Sequence, residues 1–167
     1  MKKIDQSLNS TSLGVVFMEQ LSILYNAKVI LTERLPELAS QATFQNLKHA
    51  LAEDWEETKL QMIALKTIFQ LMQESWLTHH CFGMIAVIDE AHKQVSFNRD
   101  KHYESDMSIL CYMAVIENMQ VGASQILNLM ALKLAYQPYA QLVLECLDIA
   151  KDNSRLIMCV AAEYLED

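Results

Sequence analysis

Along residues 17–38, large apolar side chains recur at alternating steps of four and three. Phe17, Leu21, Leu24, Leu31, Leu35 and Leu38 share this seam with one charged residue, Lys28. The spacing is that of a helix packed against neighbouring helices. It predicts a first long helix over 12–39, with Ser10, Thr11 and Ser12 as N-cap candidates. Pro36 falls in its last turns and is expected to bend the helix or loosen its end. A lysine in the middle of such a seam must reach solvent, meet a buried partner, or break the packing.

A second stripe, Leu51, Trp55, Thr58, Met62, Leu65, Phe69 and Met72, predicts a helix over 44–74 capped by Thr43. The short connection 40–43 makes the first two helices antiparallel neighbours. Residues 75–104 are the least regular part. One short apolar helix is expected over 81–91, followed by a polar run through Asn98-Arg99-Asp100-Lys101. Asp106 is the expected cap of a third long helix ending near Tyr136, Pro138 marks a break, and a fourth helix is expected over 140–165. Residues up to Asn9 read as a polar tail. Residues 1–167 thus read as a single all-α domain, a four-helix bundle with one additional short helix in the crossover between the second and third long helices.

Composition supports this reading: 52% of residues are hydrophobic, with only 3 Gly and 2 Pro to supply turns. Thirteen basic and 21 acidic residues give a net charge of −8, which repels a phosphate backbone and speaks against nucleic-acid binding. No uninterrupted apolar run reaches the ~18 residues of a membrane span, and Met1-Lys2-Lys3 is followed by residues too polar for a secretory signal. The expectation is a soluble, cytoplasmic protein without a membrane partner. Cys81, Cys111, Cys146 and Cys159 are scattered, three of them in apolar helical runs, and read as reduced thiols acting as small hydrophobes.

Helical bundles build metal sites from inward carboxylates, so acids on apolar faces are the first candidates. Glu117, among Leu110, Met113, Ala114 and Val121, is the clearest, because a carboxylate there needs a partner or takes up a proton. Asp54 lies at the edge of the second helix's stripe and Glu57 further round. For both, the spacing favours solvated acids on the outer face, and Glu53-Asp54 with Glu56-Glu57 reads as an exposed acidic patch. The histidines add no ligand pair. His79 and His80 sit in a linker beside Cys81, His92 and His102 flank the crossover, and His49 stands near the start of a helix. No phosphate loop, nucleophile elbow or Cys-His dyad appears, so no catalytic residue is assigned and no enzyme is expected.

Several segments carry a resemblance. Leu24-Tyr25-x-Ala27, Leu35-Pro36-x-Leu38-Ala39 and Glu56-Glu57-Thr58 resemble, in order and spacing, the L-Y-x-A-E-K-Q-L, A-L-P-K-M-A and H-L-E-E-T motifs of the YciE/YciF family of ferritin-like proteins. Cys81-x-x-Met84 with Ile88-Asp89-Glu90-Ala91, Ile116-Glu117-Asn118-Met119-Gln120, and Leu142-x-x-Glu145-x-Leu147-Asp148 continue the likeness over nearly the whole chain. The resemblance implies a ferritin-like bundle, commonly a homodimer, associated with bacterial stress responses. It also implies a dinuclear metal centre, of which little is left here. Lys28 stands where the family has a helix-one Glu, Asp54 where it has a His, and Asn118 and Gln120 where it has a His and a Glu. Ile149 and Ala150 stand where it has paired acids. Only Glu57 and Glu117 match, so Asp54, Glu57 and Glu117 would hold one iron or manganese ion weakly at most. The expectation is therefore a protein without cofactor, in which Lys28 replaces a metal ligand and pairs with Glu117. A carboxylate-bridged iron or manganese storage or oxidase-type protein with a residual site at these residues, and a small-molecule pocket between the helices, stand as alternatives.

Overall fold

A computed structural model describes residues 6–78, 82–98 and 100–166. Its elements are α1 (Gln6–Gln41), α2 (Gln45–Met72), α3 (Phe82–Phe97), α4 (His102–Lys133) and α5 (Gln137–Glu166), all helical. The four long helices form a ring in which α1 packs on α2, α2 on α5, α5 on α4 and α4 on α1. The short α3 lies against α1 and α4. It turns Ile88, Ala91 and Val95 inward, and is tied to α1 by His92–Glu37 at 2.8 Å and Arg34–Asp89 at 3.4 Å.

Every member of the predicted first seam, from Phe17 to Leu38 and including Lys28, is buried. By length and composition Thr11–Gln41 is also long and apolar enough to cross a membrane, although no uninterrupted apolar run is. Here that seam faces the other helices, and its central lysine is held inside the bundle. Other boundaries differ from expectation. The helix begins at Gln6, inside the expected polar tail, and continues through Pro36 to Gln41. Pro36 is itself exposed. The crossover helix runs to Phe97 rather than Ala91, because Ala91 and Val95 continue its buried face. Pro138 does not break a helix but sits in the first turn of α5, where a missing N–H costs nothing.

Asp106 does not cap its own helix. Four residues into α4 and fully buried, it reaches the α1–α2 connection. There its carboxylate accepts the backbone N–H of Thr43 (2.8 Å), the Thr43 hydroxyl (2.5 Å) and the backbone N–H of Phe44 (2.9 Å). Thr43 therefore spends its hydroxyl on Asp106, and α2 starts after Phe44 with no side-chain cap of its own. A carboxylate at a helix start also meets the positive end of its dipole. At the opposite end of the bundle, α2 and α4 both close with a left-handed residue that is not glycine, Gln73 (φ 58°) and Ala135 (φ 57°). The backbone bonds Glu74→Phe69 and Tyr136→Ala131 complete the wrap expected of such ends.

The apolar core is divided in two. One half gathers Leu31, Leu35, Leu38, Leu47, Leu51, Ile109, Met113 and Ile157. The other gathers Phe17, Leu21, Leu24, Leu65, Phe69, Leu127 and Val143. Between them, each long helix contributes polar side chains to a single buried layer: Lys28 from α1, Asp54, Thr58 and Gln61 from α2, Glu117, Gln120 and Ser124 from α4, and Asn153 from α5. Of the three cysteines described, Cys146 is buried while Cys111 and Cys159 are exposed. The apolar runs that suggested otherwise include outward-facing positions.

Candidate functional site: a buried polar layer

Asp54, Thr58 and Gln61 are spaced i, i+4 and i+7, and Glu117, Gln120 and Ser124 are spaced i, i+3 and i+7. Both sets therefore continue the inward stripe of their helix rather than interrupt it. Lys28 enters from α1 and is 1% exposed. Its ammonium donates to Oε1 of Gln61, at 2.5 Å, and to Oε1 of Gln120. Each of these amides is fixed at its other end. Gln61 Nε2 donates to the Cys146 carbonyl at 2.9 Å, and Gln120 Nε2 donates to Glu117 Oε1 at 2.7 Å. Lys28 and Glu117 are thus linked through Gln120, not by the direct pair expected from the sequence.

A second set centres on Asp54, which is 2% exposed rather than part of an outer acidic patch. Asn153 Nδ2 (2.8 Å) and Thr58 Oγ (3.2 Å) both donate to its Oδ1. Its Oδ2 and the Ser124 hydroxyl have no hydrogen-bond partner among the described residues. Glu57 is only partly buried and lies near Glu53 and Asp152, but its carboxylate also meets the Asn153 side chain, and its Oε2 is buried without a hydrogen-bond partner among the described residues.

The titration of these groups is governed by burial. It raises the Asp54 carboxyl to about 6, against the opposing pull of Lys28 and the bonds from Thr58 and Asn153. It also raises Glu117 well above the usual carboxylate range, with help from the Asp54 charge. Burial lowers Lys28, and Glu117, Cys146 and Asp54 resist that lowering. The Cys146 thiol is pushed up to about 11 and stays protonated. An uncompensated charge is costly in so dry a layer, so the favoured state near neutrality is electroneutral. It has Lys28 as ammonium, Asp54 ionised and Glu117 holding its proton.

This donor set does not fit a dinuclear metal centre. Among the described residues no three His, Cys, Asp or Glu side chains are arranged to hold an ion, and Asp54, Glu57 and Glu117 are not gathered as ligands. The oxygens of Gln61 and Gln120 converge on an ammonium instead. His79, His80 and Cys81, which the sequence places together in a linker, lie outside the described residues. His49 is exposed and bonds Gln45. Sequence reading overlooked Gln61 and Asn153 as members of the site, and Gln120 as the partner of Lys28. Asn153 carried a legible signal, because it interrupts the seam Val143, Leu147, Ala150, Ile157, Val160.

Comparison with known proteins places this arrangement in a family context. The protein YciF of Escherichia coli is 24% identical over 145 residues, covering 86% of this chain and 87% of its own length. The crystal structure of that E. coli stress protein superposes with a TM-score of 0.87 at 23% identity, over 93% of this chain and 98% of the other. YcfI from Rhodopseudomonas palustris, proposed to be a structural protein, matches with a TM-score of 0.80 at 20% identity, over 87% and 92% of the two chains. These likenesses establish the ferritin-like helical bundle. The model of a domain of unknown function, DUF892, matches residues 12–166, and the chain therefore belongs to this YciE/YciF-like family.

Proposed function

We propose that this protein is a metal-free member of its family, in which the Lys28 ammonium supplies the positive charge at the centre of the bundle. One observation carries the reading: two amide oxygens, from Gln61 on α2 and Gln120 on α4, both accept from Lys28. An ammonium held this way and a metal ion exclude each other from the same space. Asp54 and Glu117, which would otherwise bind an ion, are bonded instead to Asn153, Thr58 and Gln120. The role proposed is structural, exercised through protein contacts, and not enzymatic. A homodimer, cytoplasmic residence and a part in bacterial stress belong to the same proposal; the last draws on the description of YciF as a stress protein.

Elemental analysis of protein purified without chelator tests this reading. The expected result is iron, manganese and zinc far below one ion per chain, unchanged in Glu117→Ala. Stoichiometric iron or manganese that disappears in Glu117→Ala would overturn it and favour a residual site at Asp54, Glu57 and Glu117.

A further inference from the structure

In the buried layer an amine, an amide and a carboxyl stand in a row. Lys28 Nζ donates to Oε1 of Gln120, and Gln120 Nε2 donates to Oε1 of Glu117 at 2.7 Å. All three side chains are buried, and an apolar half-core closes the layer on either side. These are also the parts of an acyl transfer: a nucleophilic nitrogen, a carbonyl carbon, and an acid touching the nitrogen that would leave.

Distance and chemistry both single out Gln120. A carbonyl oxygen lies about 1.2 Å from its carbon. A nitrogen bonded to Oε1 therefore stands within about 3–4 Å of Cδ, close to the separation from which attack begins. Turning about the flexible stem of Lys28 carries Nζ from the plane of the amide onto its face. Gln61 Oε1 also accepts from Lys28, but Gln61 Nε2 faces the Cys146 carbonyl, which has no proton to give a leaving group. Of the two amides, Gln120 is the one with a carboxyl at its nitrogen.

Attack needs the neutral amine. Burial lowers Lys28, while Glu117 on α4, Cys146 on α5 and Asp54 on α2 favour its charge. A proton given up by Lys28 and taken by Asp54, whose carboxyl burial raises to about 6, leaves the layer electroneutral. Depth keeps bulk water, the competing nucleophile, away from the amide.

We propose that Lys28 and Gln120 condense into an isopeptide bond joining α1 to α4, with Glu117 as the proton carrier. Nζ attacks Cδ of Gln120 as the electron pair of the carbonyl moves onto Oε1. Glu117 gives a proton to Nε2 and takes one from Nζ. The carbonyl re-forms, the Cδ–Nε2 bond breaks, and ammonia leaves. No oxidant, reductant or co-reactant is consumed. The inference rests on the metal-free reading above, whose ammonium form is the precursor. The bond would close a span of 92 residues, which suits a structural role.

Intact-mass measurement of the folded full chain, fresh and after prolonged incubation below its melting temperature, tests this. The expected result is a growing species lighter by one ammonia, about 17 Da. Its digest should contain a branched peptide joining Lys28 to Gln120, and no such species should grow in urea. Glu117→Gln keeps a hydrogen-bonding group but carries no proton between the nitrogens. It is expected to slow the growth by about a hundredfold while its circular dichroism stays helical. Gln120→Met should abolish it. A folded wild-type chain that keeps its full mass throughout would overturn the bond and leave the metal-free reading intact, since that reading rests on metal content. The same mass loss confined to one linear peptide, or a branch at Gln61, would also overturn it. Stoichiometric metal lost in Glu117→Ala would overturn the bond and the metal-free reading together.

Discussion

Lys28 and Glu117 are joined by a single intervening side chain: Gln120 accepts from the Lys28 ammonium through Oε1 and donates to Glu117 through Nε2. The amide turns two groups that would otherwise face each other across a dry space into a hydrogen-bonded chain spanning α1 and α4. Gln61 repeats the device, linking Lys28 to the backbone of α5 at Cys146. One cation thereby ties all four long helices at the level where the apolar core is interrupted.

Removing that cation should be costly. Lys28→Met leaves the oxygens of Gln61 and Gln120 without their donor and the ionised Asp54 carboxylate without a counter-charge. A loss of roughly 3–5 kcal/mol in unfolding free energy is expected, partly recovered when Asp54→Asn is added. Urea denaturation of both variants measures this. A Lys28→Met protein as stable as wild type would mean that Lys28 does not balance the layer.

Asp54 sets an unusual pH dependence. Its carboxyl titrates near 6 in the folded protein against 3.8 as the ordinary value, so between these values the folded state binds more protons than the unfolded one. The contribution of Asp54 to stability is then greatest below about pH 4, falls as pH rises through 6, and is level above. The total change is on the order of 3 kcal/mol. Glu117 acts in the same direction and extends the decline upward in pH. Asp54→Asn keeps an acceptor for Thr58 and Asn153 and should flatten the fall between pH 4 and 6. Thermal melts across that range provide the check, and an unaltered profile would remove Asp54 as its cause.

The Asp106 carboxylate should act as a long-range cap. Asp106→Ala deprives Thr43 and Phe44 of three acceptor contacts at a buried site and is expected to cost about 2–3 kcal/mol. Thr43→Val, which removes only the hydroxyl bond, is expected to cost about 1 kcal/mol. Equal losses in the two variants would contradict the role given to the backbone bonds.

The two left-handed helix ends offer the opposite sign. Glycine relieves the strain of a side chain at positive φ, so Ala135→Gly and Gln73→Gly should each stabilise the fold by up to about 1 kcal/mol. Paired denaturant midpoints read this directly.

How much of this was legible in the chain depends on which question is put to it. Periodicity determined that Phe17 through Leu38 form one buried seam, that Lys28 lies on it, and that Glu117 lies on another. It also indicated the four long helices and the crossover helix, because each helix repeats its own pattern every three to four residues. Asp54 was misjudged as solvated, since an acid at the edge of a stripe is turned inward or outward by what its neighbour presents at that height. Here the neighbour presents Asn153.

Only the tertiary structure decided which polar groups meet. Lys28 finds Gln61 across 33 residues of sequence and Gln120 across 92. Thr43 finds Asp106 across 63. Helical spacing fixes the face of a residue, but not the level at which one helix slides against another. That level is set by how two apolar half-cores pack, and it determined that Lys28 meets two amides where the sequence alone suggested a carboxylate.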